Sequence, residues 1–456
     1  MRSLVSAILL CMCASTSHAA APAIPDTPAG QVLRAWLDAF NSGERAKVDA
    51  YFGKYKPPNG MAERMLGLRR QTGGFTLIAI DRSERLHLEF RVQEKAGPTM
   101  AFGLFDVSDG NPPQVVADML QALPPGASAS DMAVKVDAAI RSRVIDGIAA
   151  KLTDLYVFPD TAKKMVEALR AHQQKGEYDA ITSGWTFAAK LTEHLRAISH
   201  DHHLRVQCMP MVMPKDDDRD PLQPPAIDDE FRAHLERENC GFVKVERLER
   251  NIGYVKLNEF GPTKVCAPTA TAAMNFLAHV DAVIFDLRDN GGGDPEMVAW
   301  LSSYLFDART HLNDLWERKR NKTTEYWTKP EAPGKKLAKQ PVYVLTSSGT
   351  FSGAEEFTYN LKSLKRATIV GEVTGGGAHP TTGLRLDDHF GIGVPFARAI
   401  NPITKTNWEG KGVEPDVKVP ADQALDEAKK LAFVELDKRA PHGPPPPHGP
   451  PPPHKK

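Results

Sequence analysis

The chain has 456 residues, which is enough for roughly three domains of about 150 residues each. Its 57 Lys and Arg residues balance its 57 Asp and Glu residues, and the charged and hydrophobic fractions, 25% and 41%, are typical of a globular protein. A formal charge of zero excludes nucleic acid or an anionic membrane surface as a main partner held by electrostatic attraction.

The first 21 residues have the pattern of a signal peptide. Arg2 precedes an apolar run from Leu4 to Ala14, which is followed by small residues as far as Ala21. The run is too short for a membrane span, so we expect an exported protein, periplasmic or secreted. In such an oxidising compartment, one pair among Cys208, Cys240 and Cys266 can close a disulfide, and the sequence leaves the choice of pair open.

Residues 26–124 are predicted to form an α+β domain of the cystatin-like cone type. Val32, Leu33, Trp36, Leu37 and Phe40 fall on one face of a helix, and a later segment alternates apolar and polar residues as a half-buried strand does. A Pro/Gly-rich linker follows at 124–130, and the pattern over 131–213 is then helical. In that region an apolar stripe stops before a proline; its members are Val144, Ile148, Leu152 and Leu155.

Residues 227–436 change to strands that alternate with helices, the pattern of an α/β core. The predicted strands are Ile252–Asn258, Ala282–Leu287, Val342–Thr346, Ala367–Gly371 and Gly391–Arg398. The remaining residues, 437–456, are rich in Pro and His and are predicted to be a disordered tail.

Ser352 follows a predicted buried strand and a turn of small residues, and it precedes a helix whose apolar face includes Phe357 and Leu361. A helix N-terminus offers unpaired N–H groups that stabilise a developing oxyanion, so a Ser at this position is a candidate nucleophile. Ser352 and Glu355 also fit a capping box, in which the Ser only satisfies backbone donors. The motif alone leaves both interpretations open.

Two further segments are candidates for the same site. Gly291–Gly293 follow a predicted strand. Two interpretations are open: their N–H groups supply half of an oxyanion hole, or the glycines only form a tight turn. His200, His202 and His203 end the helical region, and imidazole is the usual base for a Ser nucleophile. His200 and His202 with His379 are an alternative set of metal ligands, but no Glu or Cys stands at the spacing of a metal motif. The sequence therefore predicts no metal and no other cofactor.

Six motifs occur together in one order: Tyr156–Pro159, Ser199–Leu204, Asp286–Gly292, Thr350–Phe357, Gly371–Gly376 and Asn407–Asp416. With these motifs, the chain from about residue 140 to 419 resembles the tail-specific (C-terminal processing) serine protease family. The resemblance is to the branch that includes interphotoreceptor retinoid-binding protein and the tricorn protease core. It implies a crotonase-like ββα catalytic core behind a helical subdomain.

The resemblance places Ser352 at the family's nucleophile position. One large branch has a Lys base 25 residues after the Ser, but that position is Gly377 here. The resemblance therefore implies the tricorn-like arrangement, with His203 as the base, acting directly or through a bridging group, and Glu409 as the residue that orients it. That pattern has a Ser before the His where this chain has His202, so the base stays open between the two histidines.

The same resemblance implies an oxyanion hole made from the Gly353 N–H and a backbone N–H of Gly291 or Gly292. The predicted function is a serine endopeptidase that acts on polypeptides through an acyl-enzyme on Ser352. Two alternatives share the fold: a non-catalytic carrier of hydrophobic ligands such as retinoids or lipids, and an esterase that uses the same Ser. A carrier has no need of a Ser, a His and a Glu together, which favours the peptidase.

Overall fold

The computed structural model describes residues 22–56, 61–215, 220, 222–223 and 226–439. The predicted signal peptide and residues 440–456 of the predicted tail lie outside the described residues. None of the helices within these ranges is both long and apolar enough to cross a membrane.

The N-terminal region places three helices against a four-stranded antiparallel sheet with the order β1-β2-β3-β4. The first helix turns its apolar face to the sheet, where the ring of Trp36 packs against those of Phe75 and Phe90. This is the predicted α+β arrangement, with the helix first and the strands after it. The elements are α1 (Pro28–Ser42), α2 (Arg45–Tyr55), α3 (Met61–Thr72), β1 (Phe75–Ser83), β2 (His87–Glu94), β3 (Met100–Val107) and β4 (Val115–Ala122).

A helical region follows, with α4 (Ala138–Leu155), α5 (Pro159–Gln174) and α6 (Gly184–Ser199), and it leads into the short strand β5 (Arg205–Cys208). All four residues of the predicted stripe are at most 1% exposed. Pro159 begins α5 at a position where its missing N–H costs nothing. Strands from much later in the chain complete this core, because Leu384, Phe390 and Ile392 pack in the same cluster as the helices.

The core of the molecule is a six-stranded sheet with the order β16-β12-β11-β8-β7-β6. Its strands are parallel except β6, which pairs antiparallel with β7. Both faces are covered, one by α8, α9 and α10 and the other by α11, which explains why the strands are apolar throughout. The elements are α7 (Asp229–Arg237), β6 (Phe242–Leu248), β7 (Ile252–Leu257), α8 (Thr263–Phe276), β8 (Ala282–Asp286), α9 (Pro295–Ser302), β11 (Val342–Thr346), α10 (Gly353–Ser363), β12 (Thr368–Gly371), β16 (Val417–Lys418) and α11 (Ala424–Arg439).

Two three-stranded sheets flank this core, with the orders β10-β9-β15 and β13-β14-β5. Their remaining strands are β9 (His311–Glu317), β10 (Lys322–Trp327), β13 (Thr381–Asp387), β14 (Phe390–Pro395) and β15 (Ala397–Ile400). The second sheet matters for the site, because β5 begins directly after the His-rich segment. It pairs antiparallel with β14 and so joins that segment to the core.

The structure differs from the sequence-based expectation at two places. The single strand predicted over Gly391–Arg398 is wrong: β14 and β15 belong to different sheets, and Pro395, which has no N–H for a ladder, ends the first. Residues 437–439, predicted to begin the tail, form the last turn of α11.

The structure also pairs Cys240 with Cys266 and leaves Cys208 buried with a free thiol.

Candidate active site

Ser352 lies at the carboxyl edge of the main sheet, at the point where the turn after β11 enters α10. Side chains of this turn bind the neighbouring β8 end: Thr350 Oγ1 donates to the Leu287 carbonyl (2.8 Å) and Ser347 Oγ to the Arg288 carbonyl (2.6 Å). Ser352 itself has φ +52° and ψ −120°, a conformation that residues with a Cβ rarely adopt. The turn therefore holds the Ser in a strained backbone conformation at the start of a helix.

The glycine loop after β8 packs directly against this turn. Gly292 has φ +110°, and a Cβ at this position would lie 2.7 Å from both the Gly353 nitrogen and the Ser352 Cβ. The Phe351 N–H donates to the Asn290 carbonyl at 3.0 Å, which fixes the register of the two segments. Glycine is needed here because the two backbones approach too closely for any side chain.

The predicted oxyanion donors differ in availability. The Gly353 N–H is the first of α10, so it has no acceptor within its own helix. The Gly292 N–H donates to the Asn290 side chain at 2.8 Å, so in this state it is occupied. The Gly292 N–H would therefore have to leave Asn290 before it could bind an oxyanion.

Glu355 connects Ser352 to the glycine-rich turn after β12. Its buried carboxylate accepts the Ser352 N–H (2.9 Å), the Gly376 N–H (2.7 Å), the Gly377 N–H (2.8 Å) and the Thr374 hydroxyl (2.5 Å). Burial raises the pKa of Glu355 to about 7, against the effect of these donors. The Glu half of the predicted capping box is thus formed, but the same carboxylate also organises the turn that faces the nucleophile.

His203 is brought to Ser352 from the other part of the molecule. Directly after α6, His200 has a left-handed φ of +53°. The chain then turns so that the Asp201 carboxylate accepts the His203 N–H at 3.1 Å. His203 Nε2 lies 3.2 Å from Ser352 Oγ, and its ring packs on that of Phe351 with centroids 4.6 Å apart. Burial lowers the pKa of His203 to about 4, so the imidazole is neutral and can accept a proton.

The structure separates the two candidate bases. His202 is exposed, and its Nδ1 lies 2.9 Å from the Gly375 carbonyl oxygen rather than at Ser352. His203 contacts Ser352, but its Nδ1 is buried and has no hydrogen-bond partner among the described residues. Glu409 therefore does not hydrogen-bond to the base in this state, as the third member of a Ser-His-Asp triad would.

Glu409 instead belongs to a buried cluster of charged groups next to His203. Its carboxylate accepts the Ala378 N–H (2.5 Å) and the His202 N–H (3.3 Å) and lies 3.5 Å from His379 Nδ1. That nitrogen is 2.7 Å from Asp201, which also accepts a hydrogen bond from the Tyr156 hydroxyl (3.2 Å). His379 thus bridges two carboxylates.

The protonation of this cluster follows from its contacts. Burial alone would raise the pKa of Asp201, but the hydrogen bond and charge of His379 hold that pKa below its usual range. Burial would lower the pKa of His379, but the hydrogen bond and charge of Asp201 hold it above its usual range. Burial and the Asp201 charge both raise the pKa of Glu409. An Asp201 carboxylate beside a His379 imidazolium is the arrangement that these directions support.

Sequence reasoning missed Asp201, Tyr156 and the bridging position of His379. Tyr156 and Asp201 lie in two of the six motifs, and His379 stands three residues after a third, which was the available signal. Nothing in their spacing shows that they meet. The alternative metal set is not assembled, because within the described part of the chain His200, His202 and His379 do not bring ligand atoms within 4.8 Å of one another.

Comparison with known proteins gives two family matches, which together cover more than half of the chain. Residues 251–419 match peptidase family S41, and residues 132–235 match the N-terminal domain of peptidase S41 in eukaryotic IRBP. The carboxyl-terminal-processing peptidase 2 of Arabidopsis thaliana chloroplasts is 30% identical over 185 residues, which are 39% of this chain and 33% of that protein. The carboxyl-terminal-processing protease of Synechocystis sp. is 30% identical over 161 residues, 34% of this chain and 35% of that one. The chain therefore spans about a third of the length of these relatives.

Among solved structures, the photosystem II D1 C-terminal processing protease covers 65% of this chain and 97% of its own, with 17% identity and a TM-score of 0.40. The N-terminal α+β region lies outside both family matches, which begin at residue 132.

Proposed function

Because the chain belongs to peptidase family S41 over residues 132–235 and 251–419, we propose that it is a serine peptidase that hydrolyses polypeptides through an acyl-enzyme on Ser352. The observation that carries the proposal is the 3.2 Å contact between Ser352 Oγ and His203 Nε2. The two residues are 149 positions apart in sequence, and the Ser stands at a helix N-terminus beside an N–H that has no acceptor within the helix. A nucleophile, a neutral base and an oxyanion donor are thereby within reach of one carbonyl group.

The reaction proceeds in two halves. Ser352 Oγ attacks the carbonyl carbon of the scissile bond while His203 Nε2 takes the hydroxyl proton, and the oxyanion is held by the Gly353 and Gly291 N–H groups. The intermediate collapses when the C–N bond breaks, and His203 returns its proton to the leaving amine. Water then attacks the Ser352 ester, His203 accepts a proton from the water, and that proton returns to Ser352 as the acid leaves.

Asp201 supports the charge that forms on His203 during each half. Its carboxylate already accepts the backbone N–H of His203 and favours a positive charge on the ring. His379 holds Asp201 in place from the other side, and Glu409 lies 3.5 Å from the same His379 nitrogen. We therefore assign Asp201 to electrostatic support of the base, and His379 and Glu409 to positioning Asp201.

The test is digestion of an unfolded protein such as casein by the chain from Pro22 onward, with the fragments identified by mass. Ser352→Ala should abolish cleavage, whereas the matched control Ser142→Ala, on α4 and away from the site, should cleave like wild type. A fluorophosphonate probe should add its phosphonyl group to Ser352 in the wild type only. Equal cleavage by wild type and Ser352→Ala would refute the assignment.

Two other outcomes identify the alternatives. Labelling of Ser352 together with hydrolysis of small esters but of no peptide bond would indicate an esterase. Absence of both labelling and cleavage, with submicromolar binding of fatty acids or retinoids, would indicate a ligand carrier.

A further inference from the structure

The N-terminal α+β region, residues 22–122, contacts the edge of the main sheet at which the candidate site lies. Arg45 on α2 forms an ion pair with Glu372 (Nη2 to Oε1, 2.9 Å), the residue directly after β12. Arg70 on α3 forms an ion pair with Asp289 (Nη2 to Oδ1, 3.3 Å), in the loop after β8. Both acidic partners are at least three-quarters buried, with side chains 21% and 15% exposed. The contacts are therefore part of a packed interface.

Both acidic residues belong to loops that build the site. The second carboxylate oxygen of Glu372 accepts the N–H of Ser348, in the turn that leads to Ser352, at 3.2 Å. Asp289 stands two residues before the candidate oxyanion donor Gly291, and its other oxygen is held by Lys256 at 2.5 Å. Arg45 thus contacts a loop residue that holds the turn of the nucleophile, and Arg70 contacts a residue of the loop that carries the candidate oxyanion donor.

The same region is also attached to the part of the molecule that supplies the base. The Thr186 hydroxyl, at the start of α6, donates to Asp106 of β3. Phe102 and Leu104 of β3 are buried against Met132 and the ring of Trp185, which neighbours Thr186. Helix α6 leads directly into the segment that carries His203.

We propose that the N-terminal region is a clamp that sets the distance between His203 and Ser352, with Arg45 and Arg70 as positioning residues. This inference rests on the proposed function. The base and the nucleophile come from separate packed clusters. The N-terminal region packs β3 against the start of α6 on the side of the base, and on the side of the nucleophile it contacts the loops after β12 and β8 through the two ion pairs. A catalytic contact of 3.2 Å is lost by a shift of about an ångström, a displacement that can reduce a rate by about a hundredfold.

The Arg70–Asp289 pair acts on geometry more than on stability, because the Arg70 side chain is 54% exposed and such pairs contribute little to the free energy of unfolding. In the Arg45–Glu372 pair both side chains are at most 24% exposed, so its loss also lowers stability, which the unfolding midpoint monitors. Replacing both arginines by glutamate, however, places negative charges next to Glu372 and Asp289. The repulsion pushes the N-terminal region away from the edge of the main sheet. The catalytic groups themselves are unchanged by these substitutions.

The experiment compares Arg45→Glu/Arg70→Glu in the full chain with wild type. The control is Arg34→Glu/Arg85→Glu, which makes the same charge change but disrupts contacts inside the N-terminal region, namely the ion pairs with Asp26 and Asp109 and the Arg34 hydrogen bonds to the Ile24 and Pro25 carbonyls. The readouts are the rate at which a small fluorophosphonate labels Ser352, kcat and KM for a peptide, and the thermal unfolding midpoint.

We expect the Arg45→Glu/Arg70→Glu variant to be labelled at least tenfold more slowly, with the loss in kcat, while the control stays within twofold of wild type. Arg45→Lys/Arg70→Lys keeps the charges and should recover most of the rate. Labelling of the folded Glu variant within twofold of wild type would overturn the clamp while leaving the peptidase proposal intact. A wild type that is neither labelled nor active would instead refute the proposed function, and the clamp with it.

Discussion

Acidification is the perturbation for which the structure makes the sharpest prediction. Because burial lowers the pKa of His203 to about 4, the base should remain neutral at pH values that protonate an ordinary histidine. A fall of the pKa from 6.5 to about 4 corresponds to about 3 kcal/mol in favour of the neutral ring. At pH 5 about 90% of such a base is neutral, compared with about 3% for a histidine of pKa 6.5, so the expected difference in rate is about thirtyfold.

The charged groups that face His203 act in both directions. The Asp201 carboxylate raises its pKa, whereas His379, His202 and Arg196 lower it, and burial is the largest effect. The same shift affects stability. In the unfolded chain the ring binds a proton below about pH 6.5, but in the folded chain only below about pH 4. The stability that the neutral ring contributes is therefore present above pH 6.5. It is lost, by about 3 kcal/mol, as the pH falls from about 6.5 to about 4.

The assay is kcat/KM for a peptide substrate between about pH 3.5 and 8 at constant ionic strength, since this ratio reports the free enzyme. Circular dichroism at each pH separates protonation of the base from unfolding. We expect the acid limb to have its midpoint near pH 4, and the exposed His202→Ala variant to show a midpoint slightly above that of wild type, because His202 lowers the pKa of His203. A midpoint near pH 6.5 in folded protein, shared by Glu355→Gln, would refute the reasoning. Glu355, whose pKa is about 7, would then not account for the midpoint, and the base would have to be solvated.

The site and the fold support three further predictions. His203→Ala should lower kcat by about a thousandfold or more, whereas His202→Ala should stay within a few fold of wild type. The reverse ranking in peptide assays would identify His202 as the base. Gly292→Ala should abolish turnover and lower the midpoint of thermal unfolding, because its Cβ would collide with the nucleophile turn, whereas Gly383→Ala, with no neighbour within 4 Å, should do neither. Reduction of the disulfide, which links residues 26 positions apart, should lower the free energy of unfolding by about 3 kcal/mol in a denaturant titration, and an unchanged titration would exclude a stabilising role.

Elements with a strong periodic pattern were predictable from the sequence. The helical stripe that ends at Leu155 and the buried strands Ile252–Leu257 and Val342–Thr346 lie where their patterns indicated. The strand predicted over 391–398 failed because both of its halves are apolar, and a pattern does not show which sheet a strand joins. The disulfide could not be assigned because three cysteines allow three pairings, and only the folded chain shows which two of them meet.

The candidate site was predictable only in part, for a related reason. The structure brings together Ser352 and His203, which the resemblance had paired, and the turn residues alone marked Ser352 as a candidate. The cluster of Asp201, His379 and Glu409 depends on contacts between residues up to 208 positions apart, because no local pattern records which side chains share a buried space. Glu355 was expected to cap a helix, and its contacts with the glycine-rich turn follow from the parallel order of the strands.

The backbone conformation of Ser352 implies a conflict between catalytic activity and thermal stability. Its φ of +52° is one that glycine adopts freely, and holding a serine there costs about 1–3 kcal/mol. Ser352→Gly would relieve that strain, and the gain equals or exceeds the roughly 1 kcal/mol by which glycine favours the unfolded chain at most sites. A selection for thermal stability alone would therefore tend to remove the nucleophile, so any stabilised variant of this protein has to be screened for turnover at the same time.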